Sequence, residues 1–265
     1  MKTYALLGEK LSHSHSPLIH NEIFKDLNID ATYIKLECKS DELKSIINDL
    51  RNGKYSGFNV TIPYKKEIMQ YLDEIDPNAK AIGAVNTVAL KNGKVIGYNT
   101  DYFGFKNELI YFNVLCKNKN AYILGTGGAS LAVYRALLDL GANVYFVSRN
   151  SKNDKTISYE ELKNKDIDIL VNATPVGMYP NVDASPVSKE IALKAKYVLD
   201  LIFNPKITKI LEYANSKMNG MYMLVGQAIK AEEIWQDTNY NKSIEELVKR
   251  IEAIIGWIRL VDYLE

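Results

Sequence analysis

The run Tyr122-Ile123-Leu124-Gly125-Thr126-Gly127-Gly128-Ala129-Ser130 leads a short apolar strand through a loop of glycines into an amphipathic helix ending near Leu140. A second strand, Val144–Val147, follows that helix. Strand, tight turn, helix and strand make a βαβ unit, in which the two strands lie parallel and the helix crosses between them. Glycines in the first turn let the backbone approach a pyrophosphate, and the helix N-terminus aims its amides at the anion. The loop therefore predicts a dinucleotide held by Gly125, Thr126, Gly127, Gly128, Ala129 and Ser130, with Ser130 at the third small position of G-x-G-x-x-G/A. Strand-like runs at Ile169–Ala173, Val198–Ile202 and Met221–Leu224, separated by helical stretches, continue the rhythm. This half of the chain reads as α/β with a parallel sheet.

The strand after the glycine loop ends at Val147-Ser148-Arg149-Asn150. A protein that binds NAD places Asp or Glu there, to accept from the ribose 2′-hydroxyl. Arg149 stands instead, and a guanidinium suits the 2′-phosphate of NADP, with Lys152 adding charge. The predicted coenzyme is NADP, contacted also by Ser148, Arg149 and Asn150.

The first hundred residues alternate strand-like runs (Tyr4–Leu7, Tyr33–Leu36, Phe58–Ile62, Val85–Leu90) with helices. One helix is predicted from Ser16-Pro17, with Ser16 as N-cap and Ile19, Ile23 and Leu27 on one face. Another runs from Ser40 to Gly53 and turns Leu43, Ile46, Ile47 and Leu50 inward. Polar residues interrupt these strands in a pattern. Asn59 and Thr61, two apart, share a strand face, and neither carries charge, which suits a ligand with hydroxyl groups. Asn92-Gly93 between two strand runs signals a two-residue hairpin, whose register sets Asn86 opposite Asn99. Asp101 then lies diagonally across from Asn86, within about 7–8 Å. Lys65, soon after Pro63, is expected in the first turn of a helix over Lys65–Leu72 and is the only lysine in this cup. Taken singly, each of these is an ordinary turn or surface residue; together they outline an otherwise uncharged polar site with one cation, Lys65, and one carboxylate, Asp101.

The length of 265 residues suggests two domains. Cys38 and Cys116 are far apart and lack metal-ligand spacing, so they read as buried thiols in a reducing compartment. A net charge of +1 with mixed signs offers no basic stripe for nucleic acid and no polybasic cluster for a membrane. The apolar run at the start is too short for a signal peptide and no later run would span a bilayer, so a cytoplasmic protein with a small-molecule partner is expected.

Several separate motifs then carry a family resemblance along essentially the whole chain. They are Ser12-His13-Ser14-His15-Ser16-Pro17 with His20-Asn21, the Asn59–Lys65 segment, Gly83-Ala84-Val85-Asn86-Thr87, and Asn99-Thr100-Asp101 with Gly104. The glycine loop, Asn172-Ala173-Thr174-Pro175-Val176-Gly177-Met178 and Gly226-Gln227-Ala228 complete the set. Together they resemble shikimate dehydrogenases. The resemblance implies reversible reduction of 3-dehydroshikimate to shikimate by NADPH, a step toward chorismate and the aromatic amino acids. It implies two α/β domains facing each other across a cleft. A substrate domain over residues 1–101 would be completed by a C-terminal helix over 238–265, and a Rossmann-like NADP domain would span 102–237. Ser14 and Ser16 would hold the substrate carboxylate, and Asn59, Thr61, Asn86, Asp101 and Gln227 would surround the ring, with Lys65 and Asp101 as the catalytic pair. Thr174 and Gly226 would lie along the coenzyme, and Met178 would line the site. Phe203 stands where the family usually has a tyrosine, which removes one polar contact to substrate. The loop histidines His13 and His15 are given no chemical role, and neither is His20.

The last helix opens with the capping box Ser243-Ile244-Glu245-Glu246 and carries Leu247, Val248, Ile251, Ile254, Ile255 and Ile258 on one face. By the resemblance it packs on the N-terminal domain; a homodimer formed through this face is the alternative. Two further readings stay open: a quinate/shikimate dehydrogenase using NAD, which Arg149 argues against, and a non-catalytic sensor, which the retention of Lys65 and Asp101 argues against.

Overall fold

The computed structural model describes residues 1–12, 14–150 and 154–262, with side chains described as far as Gly256. His13, Lys152 and the side chain of Ile258 lie outside the described residues. The chain forms two units, one of Met1–Gly104 with Val225–Glu265 and one of Phe105–Leu224. The return to the first unit thus falls at Val225, earlier than the expected 238, because the helix that follows Gly220 belongs mostly with the N-terminal sheet.

The first unit comprises β1 (Lys2–Gly8), α1 (Ser16–Leu27), β2 (Ala31–Glu37), α2 (Leu43–Arg51), β3 (Gly57–Val60), β4 (Glu74–Ile75), α3 (Pro77–Ile82), β5 (Thr87–Lys91), β6 (Lys94–Tyr98) and the start of α4 (Thr100–Tyr111). Its sheet has the order β2-β1-β3-β5-β6-β4, with β2, β1 and β3 mutually parallel and β5 antiparallel to both neighbours. Strand β1 is apolar on both faces, as a central parallel strand must be when each face is covered. Ala5 and Leu7 pack with Leu43, Ile47, Leu50 and Phe58, while Tyr4 and Leu6 pack with Phe24, Tyr33 and Trp235.

The second unit continues with β7 (Asn120–Leu124), α5 (Gly128–Asp139), β8 (Asn143–Val147), β9 (Thr156–Ile157), α6 (Tyr159–Leu162), β10 (Ile169–Asn172), α7 (Lys189–Lys194), β11 (Tyr197–Asp200), α8 (Lys209–Tyr213) and β12 (Lys217–Asn219). All its strand pairs are parallel, in the order β12-β11-β10-β7-β8-β9. Counting from β7 this is 3-2-1-4-5-6, the doubly wound arrangement with a switch point between the first and fourth strands. Helices α9 (Met221–Gln236) and α10 (Ile244–Asp262) close the chain.

Four local expectations need correction. Met221–Leu224 begins α9 and is not a strand; the sixth strand is the short β12 just before it. Lys65–Leu72 is a turn followed by a 3-10 segment over Glu67–Tyr71, because Met69 and Leu72 bond to carbonyls three residues back. Ser16 is the first residue of α1 and His15 its N-cap, with the Ser14 hydroxyl accepting from the Ser16 amide at 3.2 Å. Asp101 belongs to the first turn of α4 and not to a strand. The thiols of Cys38 and Cys116 are buried and free, each pushed up to about 11 mainly by burial. Among the described residues no helix is long and apolar enough to cross a membrane.

Candidate active site

Lys65 reaches its place through the backbone on either side of it. Thr61 N–H donates to the Leu7 carbonyl at 2.9 Å, carrying the end of β3 alongside β1, and the Lys65 carbonyl accepts from Val85 N–H at 2.7 Å. Asp101 is set by the cap of α4, where Asn99 Oδ1 accepts from Tyr102 N–H at 3.2 Å and Asn99 Nδ2 donates to the Ala84 carbonyl at 2.9 Å. Lys65 Nζ then donates to Asp101 Oδ2 at 2.6 Å, with side chains only 15% and 12% exposed. An ion pair so shielded is far less screened than a surface pair.

Uncharged polar groups are gathered in the same unit. The Asn92-Gly93 hairpin pairs Thr87 with Tyr98, and Asn86 follows the same register toward Asn99, its N–H donating to the Tyr98 carbonyl at 3.0 Å. Asn86 does not meet Asp101 by a cross-strand diagonal, since the chain turns into α4. Its Oδ1 instead accepts from Thr100 N–H at 2.6 Å, and its Nδ2 donates to Thr100 Oγ1 at 3.1 Å. Thr100 Oγ1 is also 3.5 Å from Oε1 of Gln227, which is how α9 brings that residue in. Asn59 Nδ2 donates to the Asn86 carbonyl at 3.3 Å and to Thr87 Oγ1 at 3.0 Å. Asn59, Asn86, Gln227, Lys65 and Asp101 are therefore linked into one region through Thr87, Thr100 and the 83–87 segment.

Ser14 and Ser16 stand at the N-terminal end of α1, their hydroxyls 3.1 Å apart. The twelve-residue helix has no acid in its first turn, so its positive end is open to a carboxylate. The loop before it is tied to β2, where Leu11 N–H donates to Glu37 Oε1 at 2.7 Å and Lys35 Nζ to the Ser12 carbonyl at 2.9 Å. Gly8 allows that loop to pass close to Thr61, since a Cβ there would lie 2.7 Å from Thr61 Cγ2. These residues cluster beyond the carboxyl ends of β1 and β3, the side on which open α/β sheets bind ligands.

In the second unit the glycine loop lies at the switch point. Gly125 has φ +99°, and a Cβ on it would approach Thr174 Cγ2 to 2.9 Å and the Ala173 carbonyl to 3.3 Å. A glycine is needed there both for conformation and for contact with the neighbouring strand end. A Cβ on Gly127 would meet nothing within 4 Å, leaving free space in front of α5. That combination fits a pyrophosphate approaching backbone amides. Thr126 is exposed and Ala129 half-buried, whereas Ser130 is wholly buried and donates to the Gly127 carbonyl at 2.5 Å, so it holds the loop from beneath. Arg149 and Asn150 are exposed just after β8, and Ser148 Oγ accepts from Asn150 N–H at 3.3 Å. Thr174 is fixed by Asn172, whose Oδ1 accepts from its N–H at 3.1 Å and its hydroxyl at 2.7 Å. Asn172 in turn donates to Asp200 Oδ1 at 3.0 Å. Burial pushes Asp200 up to about 6, although Thr208, Ile202 and Asn172 all donate to it. Gly226 belongs to the first unit, where a Cβ on it would sit 3.3 Å from Gly104 Cα.

Thr87 and Thr100, both fully buried, escaped the reading of single residues; their signal is an uncharged polar side chain inside an otherwise apolar strand or at a helix start. Tyr33 and Glu232 escaped it as well and His20 was given no role, because their partners lie too far along the chain for any local pattern to announce.

Residues 6–88 match the family model described as the shikimate dehydrogenase substrate binding domain. The shikimate dehydrogenase (NADP(+)) of Clostridium beijerinckii is 45% identical over 259 residues, covering 93% of this chain and 96% of the relative. Among solved structures, a chorismate mutase/shikimate 5-dehydrogenase fusion protein from Clostridium acetobutylicum superposes with a TM-score of 0.93 at 42% identity, covering 97% of this chain and 99% of the other. The shikimate 5-dehydrogenase of Thermus thermophilus, in complex with NADP(H) and shikimate, gives a TM-score of 0.85 at 29% identity over 95% of this chain and all of that one (100%). With two α/β units, a doubly wound second sheet and relatives of this identity along nearly its full length, the chain belongs to the shikimate dehydrogenase family.

Proposed function

We propose that this protein catalyses the reversible, NADPH-dependent reduction of 3-dehydroshikimate to shikimate. The observation that carries the reading is the shielded Lys65–Asp101 pair, 2.6 Å long, amid uncharged hydrogen-bonding side chains. When bound, the coenzyme supplies or accepts the hydride. Reduction of a carbonyl leaves negative charge on its oxygen; the Lys65 ammonium stabilises that charge and donates a proton to the oxygen. In the reverse direction the neutral Lys65 amine takes the proton from the hydroxyl. Asp101 accepts a hydrogen bond from Lys65 Nζ and so fixes where the ammonium stands. Ser14 and Ser16, at the positive end of α1, hold the carboxylate, and Asn59, Thr61, Asn86 and Gln227 provide neutral partners for ring hydroxyls. Gly125–Ala129 and Thr174 take the coenzyme backbone, with Ser130 bracing the loop, and Arg149 the 2′-phosphate.

The test is coenzyme absorbance with shikimate or quinate, each against NADP and NAD. Rapid reduction of NADP with shikimate alone is expected. Comparable rates with quinate or NAD would replace this assignment with the broader activity, and absence of turnover with every pair would leave a binding protein.

A further inference from the structure

Behind Asn59 stands a chain of buried polar side chains that the chemistry above does not use. Tyr33 on β2, 4% exposed, donates its hydroxyl to Asn59 Oδ1 at 2.7 Å. Its ring stacks on His20 of α1, with centroids 4.1 Å apart and planes within 6°. His20 Nδ1 lies 2.6 Å from Glu232 Oε1 of α9, and the two side chains are 0% and 1% exposed. Glu232 Oε2 accepts from Gln236 Nε2 at 3.1 Å, and the same nitrogen donates to Tyr4 Oη at 3.0 Å. Among the described residues His20 Nε2 has no hydrogen-bond partner. A phenylalanine would fill that place without burying an unpartnered nitrogen, so what the imidazole adds lies on its Nδ1 side, in the bond to Glu232.

An amide has two donor hydrogens and two acceptor lone pairs. Both hydrogens of Asn59 are taken, by the Asn86 carbonyl and by Thr87 Oγ1, and Tyr33 takes one lone pair. Turning the amide over would set its oxygen against the Asn86 carbonyl and its NH2 group against the Tyr33 hydroxyl. Burial, with the negative charge of Glu232, pushes the Tyr33 phenol well above its usual range, so it remains a donor. What is left to a ligand at Asn59 is a single acceptor lone pair.

Building on the shikimate dehydrogenase reading, we infer that Tyr33, held by the His20–Glu232 pair, is a positioning residue that fixes the Asn59 amide to accept a hydrogen bond from a substrate hydroxyl. Tyr33 touches neither substrate nor coenzyme in this scheme and acts through Asn59 alone.

The test is a double-mutant cycle on the full chain. Tyr33→Phe keeps the stacked ring and removes the hydroxyl, and is expected to raise the shikimate KM and dissociation constant about three- to tenfold, the size of one net hydrogen bond. NADP affinity and kcat are expected to stay at wild-type values, with the thermal midpoint checking the fold. In an Asn59→Ala background the same substitution is expected to add nothing. His20→Phe, which keeps a ring on Tyr33 and cuts the Glu232 bond, provides a second arm with the same dependence on Asn59. A wild-type shikimate KM in Tyr33→Phe would overturn the assignment, as would an equal penalty with and without Asn59. A wild-type protein that neither binds nor oxidises shikimate would overturn the functional reading first, and this assignment with it.

Discussion

Lys65 has one hydrogen-bonded carboxylate and a neutral polar surround, so its replacement should affect the reaction more than recognition. Lys65→Ala is expected to lower kcat about 10²–10⁴-fold with little change in shikimate KM, as steady-state kinetics would show. Near-normal turnover would remove Lys65 from proton transfer. In the second unit, Arg149→Asp should raise the NADP KM at least about tenfold and improve NAD relative to NADP, because a charged hydrogen bond is replaced by repulsion. Competition between the two coenzymes measures this. Asp200 sets a pH dependence of stability. Its carboxyl is raised from 3.8 to about 6 on folding, so its contribution is most favourable below pH 3.8 and is lost as pH rises through about 6. The penalty above that range is on the order of 3 kcal/mol. Buried Glu108 adds a slope of the same sign, while Asp26, where burial is outweighed by Tyr240 and Arg250, adds the opposite. The contribution is isolated by Asp200→Asn, whose stability relative to wild type should improve between pH 4 and 7 in denaturant titrations; parallel curves would contradict it. Lys65 and Arg149 stand out in the sequence because a charge within a polar, mostly uncharged cup or at that strand end is locally anomalous, and the structure pairs Lys65 with Asp101. Glu232 was not, because an acid on an amphipathic helix looks solvated until the fold supplies His20, 212 positions away.

Elements were most legible where a turn dictated them. Asn92 (φ 51°) and Gly93 (φ +76°) both adopt the left-handed conformation that a two-residue hairpin requires, and the predicted pairing of β5 with β6 follows. The glycine loop was equally plain, and it makes a sharp prediction. Gly125→Ala forces an L-residue to φ +99° and drives a methyl toward Thr174 and the Ala173 carbonyl, so NADP binding should weaken about tenfold or more while the shikimate site stays intact. Isothermal titration with each ligand separates the two. Gly57 makes a comparable demand in the first unit: a Cβ would collide with the Trp235 indole, whose Nε1 donates to the Val88 carbonyl at 3.0 Å. Met221–Leu224 was misread because four apolar residues carry no period that distinguishes strand from helix. The true strand, Lys217-Met218-Asn219, is too short and polar to stand out. The helix expected at Lys65 failed for another reason: the Lys65 carbonyl accepts from Val85 N–H, and Met69 N–H bonds to the Lys66 carbonyl three residues back.

At the scale of the whole molecule, the proposed substrate residues, from Ser14 to Asp101 with Gln227, all fall in the first unit, and Gly125 to Thr174 all fall in the second. Hydrogen exchange should therefore show shikimate alone protecting amides in 1–104 and 225–265, and NADP alone protecting those in 105–224. Protection distributed the other way would reassign the units. The division into two α/β bodies was readable from length and from the restart of the strand–helix rhythm, but its return point was not, because α9 carries the chain from one unit to the other within a single helix. Helix α10 then fastens to α1, where Arg250 meets Glu22 at 3.0 Å and Asp26 at 2.7 Å. A unit assembled from both ends of a chain has an order of birth. At roughly 5–20 residues per second of synthesis, Tyr33 and His20 emerge many seconds before Glu232 and Trp235 exist. The coenzyme body, contiguous in sequence, can be finished on the ribosome while the part of the molecule made first is still waiting for its last helices.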